Sequence, residues 1–233
     1  MPDRTTLRAP AALLLGGTVA YIAVTMLHTA GPANDHPEIF GDYAASSTWG
    51  VVHLGQFAAM TVIVAGLLTL ISALRRPDTP DRGLGVGAVL AGIALGLYGV
   101  LQAVDGVALK HAVDAWVAAP ESDKAARYAS AETVRWLEWG ARSYHDLALG
   151  LALLALAVGA RTLPRTLAAL IALSGLVYAT QGWIVGAGGF SDDESIAILI
   201  GFALMLTWTS WLTALAWRPV RTSPPARLLH TNT

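Results

Sequence analysis

The chain contains no cysteine. That excludes disulfides, thiolate metal sites, iron–sulfur clusters and covalently attached haem. Charge is also scarce. Only 13% of residues are Asp, Glu, Lys or Arg, against about 25% in an ordinary soluble domain. With 15 Lys and Arg in total and no basic cluster beside stacking aromatics, nucleic-acid binding has no support. The sequence also lacks HExxH, HxxxH and any i, i+4 histidine pair, so no metalloprotease-type helix is present. No recognisable nucleophile frame surrounds Ser143, Thr25 or Thr48, which counts against a serine hydrolase.

What fills the 233 residues is apolar: 55% are hydrophobic and the mean hydropathy is +0.54. Long apolar runs recur along the whole length and leave no room for a separate soluble domain. The expected fold is an all-α polytopic membrane protein, a bundle over 1–218 with six transmembrane helices at about 11–30, 49–74, 84–108, 141–160, 167–185 and 196–217. An extension outside the membrane, 109–140, joins the third and fourth spans, with Pro120 stopping one helix and Glu121 or Ser122 capping the next. That second helix should run without a break into the fourth span. The loop 31–48 holds Asp35, His36, Glu38 and Asp42, with a short amphipathic helix from Glu38 to Ala45. Residues 219–233 read as a flexible tail.

The charges are sorted by side. Ten of the 15 bases but only three of the 16 acids fall in the N-terminal arm, the turns at 75–83 and 161–166, and the tail, leaving five bases and thirteen acids for the other side. Positive loops stay in the cytoplasm. Both termini are therefore expected inside a bacterial cytoplasmic membrane, with the acidic side facing out. Tyr21, Tyr98 and Tyr178 recur at spacings of 77 and 80 residues, the basis for a further expectation of three repeated helical hairpins.

Five of the six histidines, His28, His36, His53, His111 and His145, fall on the acidic side. Counting about 20 residues from each cytoplasmic arginine, at about 1.5 Å per residue, puts His28, His53, Asp105, His145 and Gln181 at nearly one depth. The spacing i, i+4, i+7 places Tyr21, Thr25 and His28 on one helix face, and does the same for Trp49, His53 and Gln56, for Tyr98, Gln102 and Asp105, and for Glu138, Arg142 and His145. Polar stripes turn away from hydrocarbon, so four of them at one depth should converge on a cavity that opens outward.

Each feature has a plainer reading. A lone histidine near a helix end commonly bonds a neighbouring span. Glu138–Arg142 and Lys110–Asp114 are i, i+4 pairs that stabilise a solvated helix. Trp49, Trp116, Trp136, Trp139, Trp208, Trp211 and Trp217 read as an interfacial belt, and Gly92-xxx-Gly96 and Gly182-xxx-Gly186 as close-packing faces.

Taken jointly, the residues point to a site at which Asp105, His145 and Asp146 carry acid/base chemistry. Tyr98, Gln102, Gln56, Arg142 and Gln181 would bind the ligand, and His28, His53 and His145 could hold a divalent metal. The best-fitting function is a membrane-embedded enzyme acting on a lipid-like or isoprenoid substrate. The alternatives are a small-molecule or ion transporter or binding protein, and a b-haem protein using His53 and His145. The partners expected are the lipid bilayer and a hydrophobic small molecule.

Overall fold

The computed structural model describes residues 4–29, 31, 32, 34–75 and 81–218. The turn at 76–80 and the tail 219–233, expected to be flexible, lie outside the described residues. The described residues form α1 (Arg8–Thr25), α2 (His36–Ala45), α3 (Trp49–Leu74), α4 (Arg82–Ala103), a π-helical turn (Val104–Leu109), α5 (Lys110–Val117), α6 (Glu121–Gly159), α7 (Arg165–Gly188) and α8 (Asp192–Trp217), with no strand among them. α4, the π turn and α5 make one continuous 36-residue rod. This rod and α1, α3, α6, α7 and α8 are the six helices long and apolar enough to cross a membrane.

Local chemistry sets the ends. Asp35 and Asp81 cap α2 and α4, their carboxylates accepting from the N–H of Glu38 and Leu84. Prolines precede α6 and α7 at positions 120 and 164. The expected side-chain cap on α6 is absent, and Ser122 donates to Asp123 instead. α7 stops at Gly189, whose φ of +74° favours glycine and whose missing Cβ leaves room for the Trp139 ring. α1 ends at Thr25, short of the expected Ala30. Leu27 and His28 then close tight i→i+3 bonds onto Val24 and Thr25, which carries His28 past the helix end.

The six long helices form a ring in chain order. Each packs on the next, and α8 returns to α1. Arg4 donates to the backbone oxygen of Arg218, so the start of α1 and the end of α8 lie at the same end of the bundle. α6 and α7 approach most closely through glycine: a Cβ on Gly150 would lie 2.6 Å from the Gly175 oxygen, and one on Gly182 2.6 Å from the Ser143 oxygen. Gly186 shares this face, but Gly92 and Gly96 do not. Nothing lies within 4 Å of a Cβ at either, and both are exposed on the outer surface of α4.

Leucine, isoleucine and alanine fill the ring toward the chain ends. At the opposite end, α2 lies across the opening and packs Ile39, Phe40 and Tyr43 against Trp49, Leu109 and Val113. Large apolar side chains such as Val51, Leu54, Val89, Val158 and Leu199 stand exposed on the outside of the ring. This outward apolar face is the arrangement a bilayer stabilises and water does not.

Candidate functional site

Beneath α2 lies a cavity of about 340 Å³ lined from every long helix except α7. Three stripes expected from the sequence meet in it: Tyr21, Thr25 and His28; Tyr98, Gln102 and Asp105; and Glu138 and Arg142, with Gln56 added from α3. Gln56 donates to the Thr25 hydroxyl, and Tyr98 donates to Tyr21, whose ring lies 6.1 Å away.

The π turn decides where Asp105 points. Its extra residue widens the helix beside α3, and a Cβ on Gly106 would sit 2.7 Å from the His53 Cβ. The turn frees the Asp105 carbonyl to accept from Trp49 Nε1 at 3.1 Å, while the Asp105 carboxylate Oδ2 lies 2.9 Å from His53 Nε2. The other carboxylate oxygen, Oδ1, is buried and has no hydrogen-bond partner, which costs about 1–3 kcal/mol or more for a charged group. Trp49, expected in an interfacial belt, is thus a buried part of the site, and Trp208 is also fully buried, inside the ring.

The two imidazoles at this corner are held alike. His53 Nδ1 donates to the Trp49 oxygen at 2.8 Å, one turn back in its own helix, and His28 Nδ1 donates to the Thr29 oxygen at 2.9 Å. A carbonyl only accepts, so each Nδ1 carries the hydrogen and each Nε2 is the nitrogen left for the site. The rings lie 5.1 Å apart, walled by Trp49 and Tyr43. Burial lowers the His28 pKa below the ordinary imidazole value and so favours the neutral ring, and it raises the Tyr43 phenol well above its usual range. His28, His53 and Asp105 each offer a donor atom within 4.8 Å of the other two.

His145 does not join them. Its Nδ1 donates to the Ala94 oxygen at 2.8 Å across the α4–α6 seam, its ring packs 4.6 Å from that of Tyr98, and its Nε2 lies 3.8 Å from Asp146. It lines neither the cavity nor the cleft described below. The donor group close enough to hold a metal ion is His28, His53 and Asp105, without His145, and neither of the two hollows is lined by both His53 and His145. Gln181 is likewise in the α7–α8 seam, donating to the Ala197 oxygen. Asp146 is buried behind the wall and holds Arg142 at 2.6 Å.

Pairing along α6 is shifted from the expected register. Glu138 pairs with Arg135 at 2.6 Å rather than with Arg142, while Lys110–Asp114 forms as expected at 2.7 Å, Lys110 also donating to the Ala44 oxygen of α2. His36 pairs with Glu132 at 3.0 Å, outside the cavity wall. Arg135, Tyr43, Phe190 and Glu194 are the site residues that sequence reasoning missed. Arg135 and Tyr43 line the cavity, with the guanidinium 5.4 Å from the Tyr43 ring centre. Glu194 stands 3.6 Å from Arg142.

A second hollow, of about 270 Å³, opens on the outside of the ring between α3 and α4. Gly50, Leu54, Phe57, Gly99 and Val107 line it, and His53 and Gln102 form its polar part. Gln102 borders both this cleft and the cavity, and its amide oxygen is buried with no hydrogen-bond partner. Comparison with family models, curated proteins and solved structures finds no match to this chain.

Proposed function

We propose that this chain is a membrane-embedded enzyme that takes a lipid-like or isoprenoid substrate from the bilayer and reacts its polar head in the cavity beneath α2. The observation that carries this reading is the meeting of two unlike hollows at Gln102. One lies beneath α2 and is the more polar of the two, with Gln102, Asp105, Arg135, Glu138 and Arg142 in its wall; the other is almost wholly apolar and opens sideways, between the exposed Val51, Leu54, Val100 and Val107. An amphiphile divides its surface in the same way. Its hydrocarbon chain fits the cleft, where it meets carbon, and its head fits among Gln102, Asp105 and Arg142, where buried polar groups need partners.

In this reading Asp105 and His53, whose carboxylate and imidazole nitrogen lie at 2.9 Å, form the reactive corner of the cavity, by acid/base or metal-assisted chemistry. Gln102 orients the head through its unpartnered oxygen. Arg142, held by Asp146 and facing Glu194, supplies positive charge to the cavity wall. The charge asymmetry of the loops supports an extracytoplasmic position for this end of the bundle in a bacterial cytoplasmic membrane.

The test is conversion. Full-length protein reconstituted into vesicles of bacterial polar lipids is incubated, and the lipids are followed by liquid chromatography and mass spectrometry. One lipid class should be consumed by the wild type and at least about tenfold more slowly by Asp105→Asn and by Gly99→Leu. At Gly99 a Cβ meets only the Phe57 ring, at an ordinary 3.5 Å, so the longer side chain fills the cleft rather than the core. No conversion by the wild type, or equal rates in both variants, overturns the reading.

A further inference from the structure

We propose that His28, His53 and Asp105 bind a divalent first-row transition-metal ion through two imidazole Nε2 atoms and one carboxylate. This deepens the functional reading above by making the chemistry of the cavity metal-assisted, and it rests on that reading only for what the metal does, not for whether it binds.

The first observation is the state of the donors. A metal-bound histidine characteristically donates its other ring N–H to a carbonyl or carboxylate, which fixes the tautomer and aims the ligating nitrogen. His28 and His53 both have that support in place, from the oxygens of Thr29 and Trp49. The third donor residue, Asp105, is nine-tenths buried, and its Oδ1 is unpartnered. A buried carboxylate oxygen without a hydrogen-bond donor is what a cation would satisfy.

Charge is the second observation. Asp105, Glu138, Asp146 and Glu194 are buried at this level of the bundle, and Arg135 and Arg142 are the guanidinium groups among them. Four carboxylates face two guanidiniums in a low-dielectric interior, and because His53 Nδ1 already donates to Trp49, the 2.9 Å contact between His53 Nε2 and Asp105 Oδ2 holds a proton that a metal ion would displace. One divalent cation in the proton's place balances the carboxylates.

The third observation is reach. Donor atoms within 4.8 Å of one another must close to about 3.3 Å around a tetrahedral ion with bonds of about 2.0–2.1 Å. His53 and Asp105 are already closer than that, at 2.9 Å. His28 supplies the movement, because it stands in the turn beyond the end of α1 rather than within the helix.

Two nitrogens and one oxygen, with no thiolate in the chain, suit zinc or iron(II). Three protein ligands leave a coordination position toward the cavity, where a bound metal polarises a head-group oxygen or activates water.

Full-length protein in detergent is stripped with a chelator and titrated separately with zinc and with iron(II). Metal content is then read by plasma mass spectrometry and thermal stability by melting. The wild type should hold about one ion per chain of at least one of the two, and that ion should raise its melting temperature. His28→Ala, His53→Ala and Asp105→Asn should each weaken binding at least about tenfold and lose the thermal shift, whereas His145→Ala and His36→Ala keep both. Asp105→Asn preserves side-chain shape, so its loss of metal reports on charge rather than on folding. The proposal is overturned if the wild type binds neither ion stoichiometrically, or if His145→Ala loses the ion as fully as His53→Ala. Lipid conversion that persists in metal-free protein would overturn the metal's part in the chemistry. A stoichiometric ion in a protein that converts no lipid would overturn the functional reading and leave the metal site standing.

Discussion

His53 and His145 invite comparison within one molecule. Both are buried, each sits on a polar stripe, and each donates Nδ1 to a backbone oxygen. Along the α4 rod, however, His53 meets Asp105 and Gly106 whereas His145 meets Ala94 and Tyr98, about two to three turns further from α2. They differ also in whose oxygen it is. His53 bonds one turn back within α3, which costs no neighbouring contact and leaves Nε2 facing Asp105. His145 reaches across to Ala94 on α4, and the ring is thereby used up in joining two helices. A bond within the helix orients a histidine for work elsewhere, whereas a bond between helices is itself the work. Periodicity does not separate the two cases; the location of the partner does.

The largest predicted contrast is in function. His53→Ala should abolish lipid conversion, and His145→Ala should retain it while lowering stability by about 1–3 kcal/mol, the cost of an unmet buried carbonyl and lost packing. Conversion assays and thermal melts on the two variants together decide this, and equal loss of conversion would erase the distinction. Next in size is Gly106→Ala. Its Cβ would meet the His53 Cβ at 2.7 Å, so α3 and the π turn must separate, at about 1–3 kcal/mol. Metal affinity should fall with stability, a coupling that Gly92→Ala, on the open outer face, should not show.

A smaller effect sharpens the role of His28. Only neutral imidazole ligates, so metal affinity should fall as pH drops through the ordinary imidazole range, about 6.5. Burial depresses the His28 pKa, which keeps this ligand available below that range. A zinc titration from about pH 8 to about pH 5 should show affinity falling toward the acid end; a flat profile would argue against imidazole ligation. Smallest in function is His36→Ala, which removes a hydrogen bond to Glu132 and the stacking of a buried ring on Phe40 and should cost about 1–2 kcal/mol of stability, with conversion unchanged.

Much of the architecture was legible because a bilayer imposes simple rules. Spans of about 20 apolar residues appear as such, and the 3.6-residue period brought Thr25, His28, Gln102, Asp105 and Arg142 to one cavity. What was not legible depended on single local events. Nothing in the composition of VDGVAL announces a π turn, yet that turn aims Asp105 at His53. Arg135 continues the Glu138–Arg142 stripe by one turn toward the N-terminus and could have been found by extending it. Glu194 sits among other acids in the stretch SDDES, where nothing in the sequence singles it out; Ser191 accepts from the Glu194 N–H at the start of α8, and the Glu194 carboxylate faces Arg142. The expected tyrosine repeat leaves one trace, the bond between Tyr98 and Tyr21.

The central claim is that the working corner of this molecule is His28, His53 and Asp105, with His145 outside it. X-ray absorption at the metal edge of the zinc-loaded protein tests it most directly. The account predicts two imidazole nitrogens and one carboxylate oxygen from the protein at about 2.0–2.2 Å, in a spectrum unchanged by His145→Ala and altered by His53→Ala. Three imidazoles, a shell without imidazole, or a spectrum that changes with His145→Ala would contradict it.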